Sequence, residues 1–194
     1  AVEKTGLFGR KRAIAPGPEG LYLFGGVGRG KSMLMDLFFD ASAVERRRRV
    51  HFHAFMQETH ARLNDWRAAH KDDRKAKDPL PDIAAEVADA AWLLCFDELV
   101  VNNIADAMIL GRLFEQLFAQ GVVIVATSNF APDNLYKGGL QRDRFTPFIE
   151  EIKRRMDVLE LESPIDHRQV RMKGVAVWRT PPGPDADAAL ERAF

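Results

Sequence analysis

Three stretches of this chain are apolar at every position: Leu21-Tyr22-Leu23-Phe24, Trp92-Leu93-Leu94-Cys95-Phe96 and Val122-Val123-Ile124-Val125-Ala126. Short unbroken apolar runs of this kind are expected of parallel strands buried on both faces. Asp157-Val158-Leu159-Glu160-Leu161 is less regular and reads as the last core strand. Between these runs the period lengthens. Residues 33–39 read as a buried helix, and 56–69 as an amphipathic one with Met56, His60, Leu63 and Arg67 at helical spacing. Residues 83–90 form a short Ala-rich helix. Residues 104–120 form a longer one, with Ile104, Met108, Leu113, Leu117 and Phe118 on its apolar face and Gly121 as its stop. A further helix is expected over 147–155, starting at Pro147. Residues 50–55 alternate, which predicts a strand with His51 and His53 on one face and Val50 and Phe52 on the other. The charged segment 71–82, with Pro79 and Pro81, reads as a loop, and 133–136 begins a short helix that Gly138-Gly139 breaks. Strands alternating with helices predict a parallel sheet with right-handed crossovers.

The candidate chemistry collects where the apolar runs stop. The first runs into Gly25-Gly26-Val27-Gly28-Arg29-Gly30-Lys31-Ser32, which fits the phosphate-cradling pattern G-x-x-x-x-G-K-[ST]. Glycines there let backbone N–H groups approach phosphate oxygens, Lys31 reaches the β- and γ-phosphates, and Ser32 offers a hydroxyl to Mg²⁺. The second run ends on Asp97-Glu98. Hard Mg²⁺ prefers carboxylate and water, so Asp97 is the expected metal-side acid and Glu98 the base that polarises an attacking water. The third leads to Thr127-Ser128-Asn129, where Asn129 is placed to bond the attacking water or the γ-phosphate. Parallel sheets bind ligands at the carboxyl ends of their strands, and the P-loop, His53, Asp97-Glu98 and Asn129 all fall at such ends. The implied ligands are ATP and Mg²⁺. Arg142 and Arg144 are candidate arginine fingers acting on a neighbouring subunit's γ-phosphate. His51 and His53 lack a third ligand and do not make a metal site by spacing.

Composition excludes little. The chain has 194 residues, 46% of them hydrophobic and 29% charged, which is enough for one α/β core. Its formal net charge is +0, so no global field recruits nucleic acid or anionic lipid. Arg46-Arg47-Arg48-Arg49 is read as an exposed, solvated corner, with phosphate contact as the alternative. The single cysteine, Cys95, excludes a disulfide framework and predicts a reducing, cytoplasmic setting. No apolar run approaches the roughly 18 residues of a membrane span.

Several of these stretches carry a family resemblance. Residues 20–36, His51-Phe52-His53-Ala54-Phe55-Met56, Leu94-Cys95-Phe96-Asp97-Glu98, 104–110, Ala126-Thr127-Ser128-Asn129 and 135–145 are similar to the ZapE cell-division ATPases and their mitochondrial Afg-type relatives. The resemblance implies an AAA+ P-loop fold with a five-stranded parallel sheet in a three-layer sandwich. It also implies ATP hydrolysis, homo-oligomerisation with a finger in trans, and a division-ring partner at the inner membrane. Matched residue by residue, Lys31, Ser32, Asp97, Glu98, Asn129 and Arg142 take the roles argued above. Leu99-Val100-Val101-Asn102-Asn103 departs from the family, where an aromatic and a polar residue follow Asp-Glu and Thr-Asp precedes Ile-Ala-Asp-Ala-Met. That departure bears on partner contacts rather than on nucleotide binding.

The expected organisation is an arm over 1–20, an ATPase core over 21–163, and a strand pair with the truncated start of a C-terminal lid over 164–194. Two other functions share this core: a helicase-loader-like ATPase using Arg46 to Arg49 on nucleic acid, and a nucleotide-dependent adaptor that does not hydrolyse. His53 is expected beside Glu98, where it would hold the carboxylate away from water until a partner binds.

Overall fold

The computed structural model describes residues 20–71 and 77–162. In chain order these form β1 (Gly20–Phe24), α1 (Lys31–Ala41), β2 (Arg47–His51), α2 (Phe52–Ala69), α3 (Leu80–Ala90) and β3 (Leu93–Asp97). Then follow α4 (Ile104–Ala119), β4 (Val123–Ser128), a 3-10 turn at Pro132–Asn134, α5 (Arg142–Arg155) and β5 (Asp157–Glu160). The strands make one five-stranded sheet in the order β2-β3-β4-β1-β5, and every pair is parallel. The expected arm over 1–20 and the segment 164–194 lie outside the described residues, apart from Gly20, which opens β1.

The two faces of the sheet are covered unequally. Leu94 and Phe96 of β3 point into a large core shared by α2, α3, α4 and α5, where Phe96 lies 4.8 Å from Phe55 and 5.7 Å from Phe114, ring centre to ring centre. Leu93 and Cys95 point the other way, onto a small cluster with Val125 and Met35 of α1. Helices on both sides of the sheet make the expected three layers. The α1 layer is thin, so the helix expected to be buried over 33–39 is mostly exposed: Met35 is its one buried residue, while Met33, Leu34, Leu37 and Phe38 are exposed.

Helix α3 starts at Leu80, with Pro81 in its first turn, inside the segment expected as loop up to 82. Two further boundaries differ from the sequence expectation by more. The alternation over 50–55 does not continue as a strand, because β2 ends at His51 and α2 starts at Phe52. Phe52, Phe55, Met56, Thr59 and Leu63 are all buried at helical spacing, and seating that stripe on Phe96 outweighs the local alternation. His53 therefore sits in the first turn of α2, exposed, and makes no hydrogen bond to Glu98. The gripping contact proposed for it is absent from this structure. The strand pairing expected there does occur, with His51 opposite Asp97.

Secondly, α5 starts at Arg142 and runs through Pro147. Phe145, Phe148, Ile149 and Ile152 form one buried stripe that a start at Pro147 would have cut. Arg47, Arg48 and Arg49 also depart from the solvated corner expected of them, since they build edge strand β2 and are half-buried.

No helix of the described residues is long and apolar enough to cross a membrane. Cys95 is fully buried, and burial, its largest influence, pushes its thiol up to about 11. At pH 8 only about one such thiol in a thousand is ionised, and the thiolate is the reactive form. A thiol-specific chromogenic reagent at pH 8 should leave the native protein unlabelled over minutes and titrate one equivalent after denaturation. Fast labelling of the native protein would contradict the buried placement.

Candidate functional site

The P-loop owes its shape to backbone that side chains resist. Gly28 and Gly30 have φ of 79° and 90°, in the left-handed region that glycine enters without a Cβ penalty. A Cβ added at Gly25 would stand 2.6 Å from the Leu161 carbonyl oxygen, so β1 and the chain after β5 close on each other only with glycine here. Gly30 is also the N-cap of α1, which has no side-chain cap and no acidic residue in its first turn. Its N-terminal N–H groups and the positive end of its dipole are therefore left for an anion.

Parallel pairing brings the other strand ends alongside. Phe24 stands opposite Ser128 in the β1–β4 ladder, and Lys31 Nζ donates to Asn129 Oδ1 at 2.9 Å. The same ammonium donates to the carbonyls of Gly25 and Gly26 at 2.6 and 2.8 Å. Lys31 and Asn129, 98 residues apart, thus meet directly.

Asp97 ends β3 almost buried, with Oδ2 accepting from Arg49 Nε at 2.6 Å. Glu98 follows with φ 56°, an uncommon conformation for a residue with a side chain. Its N–H donates to Thr127 Oγ1 at 3.1 Å, and the Leu99 N–H to the Thr127 carbonyl at 2.7 Å. Ser128 Oγ donates to the Leu99 carbonyl at 2.7 Å. These three bonds from β4 hold the turn that carries Glu98 outward into solvent.

Two buried side-chain polar atoms have no hydrogen-bond partner among the described residues: Arg29 Nη1, a donor, and Asp97 Oδ1, an acceptor. Desolvated polar atoms without partners are costly, and sites that bind ligands are where they persist. A polyphosphate carrying a divalent cation supplies an acceptor for the first and a cation or its water for the second. The donor set of Ser32 hydroxyl and Asp97 carboxylate suits hard Mg²⁺. The residues present fit the group.

A sequence model of the AFG1-like ATPase family matches residues 1–194 of this chain. The chain belongs to the AFG1-like ATPase family. Among curated relatives, it is 41% identical over 189 residues to the cell division protein ZapE of Escherichia coli K12, covering 97% of this chain and 48% of that protein. It is 44% identical over 182 residues to lactation elevated protein 1 homolog B of Danio rerio, covering 91% of this chain and 36% of that protein. The chain thus spans about half or less of the relatives' length. Among solved structures, the replication initiator DnaA bound to AMPPCP and single-stranded DNA aligns with a TM-score of 0.53 at 16% identity, over 79% of this chain and 43% of that one. DnaI aligns with a TM-score of 0.50 at 17% identity, over 78% and 76%. The solved-structure likenesses show a shared P-loop α/β fold for this AFG1-like chain.

Three further groups contribute to the site in ways that no local sequence pattern marks. Arg49 was hidden in a run of like charges, although the period of two already puts Arg47 and Arg49 on one face and Arg48 and Val50 on the other. Asp36 of α1, which Arg49 also contacts, carries no sequence signal of its own. Thr127 is buried within a family-like stretch but reads as an ordinary strand residue. Arg142 is half-buried in the first turn of α5 and donates to the Asp133 carbonyl, while Arg144 is exposed.

Thr127→Val keeps shape and removes the acceptor of the Glu98 N–H. Leaving that donor unpaired should cost about 1–2 kcal/mol, read as a lower urea midpoint with an unchanged slope. An unaltered midpoint would show that the bond contributes nothing to holding the turn.

Proposed function

We propose that this AFG1-like chain belongs to an enzyme that binds ATP with Mg²⁺, hydrolyses the β–γ phosphoanhydride and couples turnover to action on a protein partner. The observation that carries this reading is the convergence of three strand ends: the P-loop after β1, Asp97 with its unpartnered buried oxygen at β3, and Asn129 after β4. The backbone of residues 25–30, together with Lys31 and the side chain of Arg29, would cradle the phosphates. Ser32 and Asp97 would hold the cation, which when bound offsets the phosphate charge that otherwise repels a nucleophile. Glu98 is the base proposed to polarise the attacking water. Asn129, now held by Lys31, would turn to the γ-phosphate or that water once the ammonium engages phosphate. AAA+ proteins generally oligomerise, and Arg142 is proposed to reach a neighbouring copy's γ-phosphate.

The partner is proposed to be a protein of the bacterial division site, by likeness to the relative named as a cell division protein. The working place would then be the cytoplasm, with peripheral attachment at the inner membrane. The nucleic-acid alternative finds its basic residues engaged elsewhere. Arg46 lies 4.0 Å over the Trp92 ring and donates to the Asp89 carbonyl, Arg48 pairs with Glu58, and Arg49 with Asp36 and Asp97. The non-hydrolysing adaptor has no observation in its favour, since Lys31, Asp97 and Glu98 are all present.

Lys31→Ala should abolish tight binding of a fluorescent ATP analogue, whereas Glu98→Gln should bind it normally and lose roughly 10²-fold or more in turnover. Unchanged affinity in the first variant sinks the phosphate assignment, and wild-type turnover in the second removes Glu98 from its role.

Arg142→Ala should bind nucleotide normally and turn over up to about 10³-fold more slowly. Mixing it with Lys31→Ala subunits creates interfaces that pair an intact P-loop with an intact finger. Activity should return in part on mixing. If both variants co-assemble and nothing returns, Arg142 does not act in trans.

A further inference from the structure

Arg49 occupies the middle of β2, two residues before the strand end that faces Asp97. Its guanidinium serves two carboxylates on different elements. Nε donates to Asp97 Oδ2 at 2.6 Å, and Nη1 donates to Asp36 Oδ1 on α1, one helical turn beyond Ser32. The side chain is only 26% exposed and its Asp97 partner 8%. Without that guanidinium the two carboxylates would have no ion-pair partner among the described residues. That is the arrangement that attracts a divalent cation.

The division of Asp97's oxygens is informative. Oδ2 is committed to Arg49, and Oδ1 is buried with no partner. A carboxylate held by one oxygen has a fixed plane, so its other oxygen is presented in a fixed direction. The planar guanidinium fork suits this better than a point charge does.

We propose that Arg49 is a positioning residue and a built-in counter-cation. It fixes Asp97 through Oδ2 so that Oδ1 is left for the cation accompanying ATP, and it neutralises the Asp36–Asp97 pair so that the site does not load a divalent cation before nucleotide. The inference rests on the nucleotide chemistry proposed above for its first half only. The second half concerns the nucleotide-free protein and stands on the carboxylate geometry.

The test begins without nucleotide. Mn²⁺ is titrated at pH 8 into wild type, Arg49→Gln and the double variant Arg49→Gln/Asp97→Asn, with free Mn²⁺ read by electron paramagnetic resonance. Arg49→Gln should gain a site at least about tenfold tighter than any in wild type, because the two carboxylates lose the one cation they share. The double variant should lose it again. A folded Arg49→Gln, by circular dichroism, that binds Mn²⁺ no better than wild type overturns the neutralising role. A residue that merely tied α1 to β3 would lower the melting temperature without creating this site.

Arg49→Lys separates charge from fork geometry and serves also if the Gln variant does not fold. It should bind Mn²⁺ as weakly as wild type, yet need several-fold more Mg²⁺ for half-maximal ATP turnover, with unchanged affinity for an ATP analogue in EDTA. A wild-type Mg²⁺ requirement overturns the positioning role, and tight Mn²⁺ binding overturns the neutralising one. Should the wild-type protein hydrolyse no ATP, the proposed function fails while the Mn²⁺ titration still decides the neutralising role.

Discussion

The β3 ladder is the constraint on which the rest depends. All five of its residues are buried, and it pairs with β2 on one edge and β4 on the other. An apolar strand in that position has one register that seats Leu94 and Phe96 on the thick face and Leu93 and Cys95 on the thin one. A slip of one residue would exchange the two sets and drive Asp97 toward the aromatic core. Burying a carboxylate at 5% exposure is expensive, and here the cost is offset by the fixed strand and the guanidinium beside it. The same ladder delivers Thr127 and Ser128 to the turn that follows Asp97, so sheet pairing and site geometry are one event.

Charge is organised locally although it cancels globally. Asp97 and Glu98 follow one another at the end of β3, and Arg49 from the middle of β2 ties Asp97 to Asp36 of α1, in a chain whose formal net charge is +0. Each base has a distinct occupation in this structure. Lys31 is folded onto its own loop and Asn129, Arg49 spans two carboxylates, and Arg29 keeps a buried nitrogen without a partner. A phosphate ligand would give the buried Arg29 nitrogen an acceptor. Supplying an anion to a donor that has no partner is favourable in a way that breaking an ion pair is not. Arg49 is the base whose partners are already carboxylates, and for that reason it stays where it is.

How much could be read in advance follows from where the signal was local. The fully apolar runs, the P-loop and the acids after Phe96 were legible because burial on both faces and phosphate geometry each demand particular residues in sequence. Strand β2 was not, since an edge strand of arginines is apolar only in its side-chain stems and owes its pairing to β3 and its charges to Glu58, Asp36 and Asp97. His53 was misplaced for a related reason. Six residues, 50–55, satisfy a strand template, but Phe52, Phe55, Met56, Thr59 and Leu63 satisfy a helical one over twelve, and the longer pattern buries more surface. Pro147 misled at α5 because its usual place at a helix start is weaker than an apolar stripe from Phe145 to Ile152.

The two adjacent acids after β3 end up in opposite mechanical situations. Asp97 is buried, bonded through one oxygen and aligned by a strand, so its direction is set before any ligand arrives. Glu98 is tied through its backbone alone: its N–H bonds to Thr127, its φ is 56°, and its carboxylate makes no hydrogen bond or ion pair among the described residues. Strain of this kind is retained at a turn only when the surroundings over-determine it, and here β4 does so from both sides of Thr127. The turn thus fixes where the Glu98 side chain starts and leaves open where it ends. In the proposed chemistry, binding and hydrolysis would then differ in what they require of the chain. Cradling phosphate and cation draws on groups that the β1, β3 and β4 ends have already aligned, whereas polarising water draws on a carboxylate whose conformation the ligand or a neighbouring copy must still select.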